Sequence, residues 1–416
     1  MRSEEWTFRS ANDAATQKSR SGCTSVNFRR RSRFPFACLD GANDERSMPA
    51  LSFSPALSLL AAFHRVSPIR PLRTFIRSAD EKLNPPRQHP HVPLVRRAQD
   101  RVVAGGAGLH QLTTVLREKG RGRTPTIVLG GFIPESTEQV FLLRRFFLRS
   151  GDLYYLNYPR SGFSVDLLCA QLDDLVEELS RRAQPPIIFT VSFGSGLLLE
   201  WLKRAREASR ETAISGVVMI SPVACVADLI APNASKPSTL LGRALKPYLD
   251  PHTAVREETV QKSRVIFARM FEAGAQNRTS LRSLMTPAEL NRLHAGVMSA
   301  IRAIDGCGAR ERVRSICTMA PLSSEIWSKL SPLTAAPALI LYAESEETVL
   351  DAASPTRREL ERAHGVFLPN SRLQIVRNPF GPPVQHASLI FHVFDFLPPI
   401  SAFYQRSKVS KLKTAA

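Results

Sequence analysis

The run Ile187-Ile188-Phe189-Thr190-Val191-Ser192-Phe193-Gly194-Ser195-Gly196 is an apolar strand that breaks at a serine and passes into the helix-forming Leu197-Leu198-Leu199-Glu200-Trp201-Leu202. This is the pattern of a nucleophile elbow. A serine in such a turn sits in strained backbone geometry, so the residues two before and two after it must be small for strand and helix to approach. Thr190 and Gly194 meet that need around Ser192, whereas Phe193 and Leu197 would flank Ser195, so Ser192 is the candidate nucleophile. The chemistry would be acyl transfer. A serine hydroxyl is a weak nucleophile at neutral pH, so an imidazole must accept its proton and a carboxylate must hold that imidazole in the correct tautomer. With nine histidines and 37 acidic residues in the chain, residue type alone does not choose those partners. The pattern is looser than Gly-x-Ser-x-Gly, because Thr replaces the first Gly, and an ordinary strand-to-helix turn is its structural alternative.

The neighbouring elements narrow the choice. Thr126-Ile127-Val128-Leu129 is a short buried strand ending at Gly130-Gly131-Phe132, and Ser136 and Gln139 have capping-box spacing at the start of a helix with Val140, Leu143 and Phe147 on one face. Asp152 to Tyr158 reads as another strand. The loop Pro159-Arg160-Ser161-Gly162-Phe163-Ser164 then leads to a helix whose stripe is Leu168, Leu172, Leu175, Val176 and Leu179. Further strands are predicted at Gly216 to Ser221, Ala338 to Tyr342 and Leu373 to Val376. Near-continuous apolar strands alternating with helices argue for an α/β fold with a mostly parallel sheet covered on both faces.

With these motifs in this order, the chain resembles the α/β-hydrolase family over roughly residues 105 to 400. Gly130-Gly131-Phe132 is similar to the family's His-Gly-X oxyanion loop, with Gly130 in place of the His, and Thr190 to Gly194 resembles its elbow. Asn157 to Ser164 resembles the segment where the family commonly carries an aspartate, an arginine and a glycine pair before a serine. Ala343-Glu344-Ser345-Glu346-Glu347-Thr348-Val349 is similar to the family's Gly-x-x-Asp-x-x-Val acid loop, and Gln385-His386-Ala387-Ser388 lies where the family places its histidine. The resemblance therefore implies Ser192 as nucleophile, His386 as base and Glu346 as acid, in the order this fold uses. It also implies the backbone N–H groups of Phe132 and Phe193 as the oxyanion hole. Alternatives stay open. His392 competes with His386, although it falls within an apolar segment that reads as a closing helix. Glu344, Glu347 and Asp351 crowd the acid loop, and Asp228 is the alternative acid, because some members of this fold draw it from the loop after the preceding strand.

The domain organisation follows. The core is expected at 105–221 and 331–400, and a helical cap at 222–330, inserted between late strands. Thr286-Pro287-Ala288-Glu289 is a helix start with an N-cap, a first-turn proline and a capping-box glutamate, and Leu290, Leu293, Val297, Ile301 and Ile304 mark its stripe. A second cap helix is predicted over Glu257 to Ala273. These stripes either pack on one another or roof an apolar acyl pocket, and both can hold together.

A net charge of +19 raises nucleic-acid or acidic-surface binding as a competing class. Much of the excess sits in residues 1–100, as in Arg29-Arg30-Arg31-Ser32-Arg33, and in the tail 401–416, segments that read as disordered basic arms without stacking aromatics or a zinc-finger pattern. Specific nucleic-acid binding is therefore not expected. No apolar run reaches a membrane span, so the chain reads as soluble or weakly associated with a membrane surface. Six cysteines without zinc spacing suit a reducing cytoplasm. Residues 1–47 read either as a targeting segment, against which Glu4, Glu5 and Asp13 count, or as preceding a true start at Met48. The expectation is a serine hydrolase acting on a small-molecule or lipid-like acyl substrate, a mechanism that calls for no metal or organic cofactor. A non-catalytic scaffold on the same fold is the rival, and it need not keep a carboxylate near the imidazole.

Overall fold

The computed structural model describes residues 87–414 except 107–109, 233–235, 251–254, 275–284 and 380. The basic run at 29–33, Cys23, Cys38 and the alternative start at Met48 lie outside the described residues.

Eight strands form one sheet in the order β1-β2-β4-β3-β5-β6-β7-β8. They are β1 (His89–Pro90), β2 (Thr114–Glu118), β3 (Thr126–Leu129), β4 (Leu153–Asn157), β5 (Ile187–Val191), β6 (Gly216–Ile220), β7 (Ala338–Ala343) and β8 (Ser371–Val376). β2 runs antiparallel to β1 and β4, and the remaining pairs are parallel. The inner strands β3, β5, β6 and β7 are buried at every residue. Alternate side chains enter different cores: Ile127 and Leu129 join one cluster, and Val128 joins the other. A sheet buried on both faces has to read as continuous Val, Ile and Leu, as these strands do.

The near cluster is closed by α4 (Val165–Arg181), α5 (Phe193–Glu207) and α11 (Pro355–Phe367), and the far one by α3 (Arg144–Ser150) and α12 (Val393–Thr414). The predicted stripe of α4 is fully buried. Between β6 and β7 lie α6 (Leu240–Leu245), α7 (Glu257–Gly274), α8 (Pro287–Arg302), α9 (Gly306–Thr318) and α10 (Glu325–Leu330). α8 starts with the predicted capping box: Thr286 Oγ1 accepts from Glu289 N at 3.1 Å, and Glu289 Oε2 accepts from Thr286 N at 2.8 Å.

Four expectations need correction. Residues 87–100, read as part of a disordered extension, carry β1 and the first half of α1 (Arg97–Ala104). Buried acids on α4 hold this segment: Asp174 accepts from Ala98 N and Gln99 N, and Glu178 from Leu94 N. Strands β1 and β2 had no counterpart in the sequence reading, because both are short and polar outside Val115 and Leu116. The tail is helical rather than an arm, since α12 runs through Thr414 with Phe403, Tyr404 and Ser407 buried and the Tyr404 hydroxyl 2.9 Å from Thr126 Oγ1. The Ser136–Gln139 capping box does not form. α2 (Ser136–Gln139) starts from Glu135 without a side-chain cap, and the helix breaks before α3. Ser136 Oγ instead donates to Leu156 O at 2.7 Å, and Gln139 Oε1 accepts from Gly131 N at 2.7 Å. Tertiary partners outcompeted the local cap.

Candidate active site

Ser192 sits between the end of β5 and α5 at φ 51° and ψ −115°. A non-glycine residue there is strained, and the strain persists because its surroundings over-determine it. Ser192 N donates to Ile220 O at 2.8 Å, and Ser192 O accepts from Ser195 N at 2.9 Å. Gly194 is required by space: a Cβ there would lie 2.5 Å from both the Leu129 and Gly130 carbonyl oxygens. Thr190 is tolerated because its hydroxyl is paired, 2.8 Å from Ser195 Oγ and donating to Val218 O at 3.1 Å. Ser195 is fully buried in that pair and is structural.

The turn aims Ser192 Oγ at His386 Nε2, 2.9 Å away. His386 Nδ1 in turn meets Glu346 Oε2 in a short charge-assisted contact. Glu346, 2% exposed, is held from behind: its Oε1 accepts from Ser221 Oγ and Ala343 N, each at 2.7 Å. Ser221 Oγ also accepts from Ala387 N at 3.1 Å, so one hydroxyl ties the acid to the histidine loop. Ser192, Ser221 and Ala387 all have positive φ, at 51°, 47° and 49°. Three strained non-glycine residues around one histidine mark the place where the fold gives up local stability for geometry.

The rival candidates are placed elsewhere. Asp228 is fully buried and saturated, accepting from Ala224 N, Cys225 N, Ser354 Oγ and Thr356 N, and it makes no contact with His386. It ties the loop after β6 to α11 and is not the acid of this cluster. Glu344 accepts from Asn378 N and Val384 N, bracing the histidine loop, while Glu347 pairs with Ser345 Oγ and Asp351 with Ser238 Oγ. His392 lies just before α12, with Nδ1 2.8 Å from Ser388 Oγ, and burial pushes its pKa below the usual value.

The loop Gly130–Phe132 runs past the nucleophile, since a Cβ on Gly131 would lie 3.5 Å from Ser192 Cβ. Phe193 N is a first-turn amide of α5, for which the helix supplies no acceptor. Phe132 N makes no hydrogen bond among the described residues. The Phe132 and Phe193 rings pack edge to face at 5.8 Å. Above them opens a cavity that reaches Ser192 and His386 and is walled by Phe132, Leu241, Phe267, Phe271, Val297 and Phe391. Among the described residues its wall carries no ionisable side chain apart from His386, and Gln139 and Gln385 are among its few polar groups.

No protein-family model matches the sequence, and no curated protein sequence matches it. Solved structures do. A membrane phospholipase A, described as a bacterial virulence factor, aligns with 85% of this chain and 97% of its own at 14% identity and a TM-score of 0.50. The chain has the α/β-hydrolase fold. A thermophilic esterase from Thermogutta terrifontis covers 71% of this chain and 94% of its own at 12% identity and a TM-score of 0.47. MenH from S. aureus covers 71% and 98% at 14% and 0.45. At such identities the likeness concerns the fold alone.

The sequence reading had not singled out Ser221, Tyr158 or Arg312 as part of this site, and it had misread Gln139 as a cap. Ser221 carried the one available signal, a serine closing an apolar parallel strand at the sheet edge where this fold gathers its sites.

Proposed function

We propose that the chain is a serine hydrolase that cleaves a neutral carboxylic ester, or a similar acyl bond, through an acyl-enzyme on Ser192. The observation that carries this reading is the continuous series Ser192 Oγ, His386 Nε2, His386 Nδ1 and Glu346 Oε2, with Ser192 and His386 on the wall of an apolar cavity and Glu346 buried behind them. A scaffold has no need to keep a buried carboxylate on an imidazole, or to hold three residues in strained backbone for it.

The steps follow from the geometry. Ser192 Oγ attacks the carbonyl carbon while His386 Nε2 takes its proton, and Glu346 stabilises the resulting imidazolium. The developing oxyanion lies between the N–H groups of Phe132 and Phe193. His386 returns the proton to the departing alcohol, leaving the acyl group on Ser192. Water then attacks the acyl carbon with His386 again accepting the proton, and the acid and free serine are released. The described wall, apolar and without an ionisable side chain other than His386, favours an apolar acyl group, because burying an ion there would cost far more than it gained.

A broad fluorophosphonate probe tests the reading. The purified wild-type chain should gain one covalent adduct by intact mass and Ser192→Ala none. Absence of labelling on folded wild-type protein would overturn it.

A further inference from the structure

Side chains from three separate segments hold the loop that carries Phe132. The Tyr158 hydroxyl donates to Gly130 O at 2.9 Å, Gln139 Oε1 accepts from Gly131 N at 2.7 Å, and Arg312 Nη1 donates to Phe132 O at 3.0 Å. The Phe132 N–H therefore lies between two anchored groups, and little rotation is left to it.

Of the three, Arg312 is the least expected. It belongs to α9 in the insertion, 180 residues along the chain from Phe132, and is only 7% exposed. Its second arm donates to Pro159 O at 3.0 Å, and the guanidinium lies over the rings of Phe132 and Tyr158 at 5.9 and 5.7 Å. Among the described residues it forms no ion pair with a carboxylate, and its Nε has no partner. Burial pushes its pKa down to about 10. An unpaired buried cation is costly, so stability alone is a poor reason for this residue type. The rest of α9 seats it. Gly308 packs against the Arg160 carbonyl so closely that a Cβ would lie 1.6 Å from that oxygen, and Glu311 Oε2 accepts from Phe163 N at 2.9 Å. A planar fork suits two carbonyls flanked by two rings, which a lysine ammonium cannot serve together.

We propose that Arg312 is the positioning residue of the oxyanion hole: it fixes the Phe132 N–H from the insertion side, so that docking of α9 is a condition for turnover. This rests on the serine-hydrolase reading above. Arg312 touches no reacting atom, and its effect passes through the Phe132 peptide.

The test uses p-nitrophenyl butanoate and its thiono counterpart on wild type, Arg312→Lys and Arg312→Met. Sulfur anions accept hydrogen bonds weakly, so a thionoester gains little from the hole. Complete loss of one oxyanion donor typically costs about 10²–10³ in kcat, and a misaligned one should cost about tenfold or more. The expected result is that loss on the oxoester with KM little changed, a much smaller loss on the thionoester, and so a collapsed oxygen-to-sulfur preference. Parallel losses on both substrates, a change in KM alone, or no loss would each overturn the proposal in favour of a clamp that merely holds the insertion. If Arg312→Met does not fold by circular dichroism, partial recovery of Arg312→Ala by added methylguanidinium, on the oxoester only, makes the same distinction. Failure of the parent reading looks different: wild type would not react with fluorophosphonate. If wild type and Arg312→Lys react equally fast, only the role of Arg312 falls.

Discussion

Glu346→Gln is nearly isosteric, yet the structure predicts a large kinetic loss with little change in folding. Glu346 Oε1 accepts from Ser221 Oγ and from Ala343 N, and the amide N–H of Ala343 can only donate. The carboxamide oxygen of a glutamine must therefore stay on that side, which turns the NH₂ toward His386 Nδ1. A donor there forces the ring proton onto Nε2, the atom 2.9 Å from Ser192 Oγ, and His386 can then no longer accept the serine proton. Flipping the amide restores the tautomer but leaves a buried N–H unpaired, at a cost of about 1–3 kcal/mol. The flipped minority also lacks the charge-assisted hydrogen bond to the imidazolium, worth about 1.5–3 kcal/mol more. Together these correspond to a loss of about 10² to 10⁴ in kcat with KM nearly constant. Initial rates on p-nitrophenyl butanoate and the rate of fluorophosphonate labelling measure it, with a thermal melt to show that the variant is folded. Asp228→Asn is the control: four donors converge on that carboxylate, so it should lower the melting temperature and spare kcat in the folded fraction. A folded Glu346→Gln within tenfold of wild type, or a stable Asp228→Asn without activity, would refute the reasoning.

Two further outcomes follow from the same geometry. Ser221→Ala and Ser221→Gly both remove the hydroxyl that joins Glu346 to Ala387 N, and kcat should fall about tenfold in each. Glycine also relieves the positive φ, so Ser221→Gly should be the more stable of the two by melting, and wild-type kcat in both would rule out the tether. His392 should make stability pH-dependent. Desolvation lowers its folded-state pKa below 6.5, so the unfolded chain binds its proton first and stability falls as pH drops through 6.5 toward the lower folded value. The melting temperature should therefore fall less between pH 7.5 and 5.5 in His392→Gln than in wild type, and identical slopes would remove His392 from the account.

Legibility differed by element for identifiable reasons. The inner strands could be read because burial on both faces forces a continuous apolar run, and the stripe of α4 because a packed helix face repeats every 3.6 residues. The start of α8 could be read because its cap is satisfied within four residues of sequence. Ser136 and Gln139 carried the same local pattern and failed, since the Leu156 carbonyl and the Gly131 amide, both outside the helix turn, were better partners. The basic tail was misjudged for a related reason. Its charge dominates the composition, while the two aromatic residues that seat it, Phe403 and Tyr404, show their role only against the far face of the sheet.

The sequence by itself determined strands β3 to β8, the turn at Ser192 and the loops that carry Glu346 and His386, because each is marked by an apolar run or by where such a run ends. It left the acid open between Glu346 and Asp228. Both are buried carboxylates in loops that follow strands, and only their partners in space separate them: Asp228 is spent on four donors that fix a loop to α11, and Glu346 keeps one oxygen for His386. Tertiary structure alone brought Ser221 beneath Glu346 and Arg312 behind the Gly130–Phe132 loop, because hydrogen bonds across 125 and 180 residues leave no periodicity or local motif in the chain.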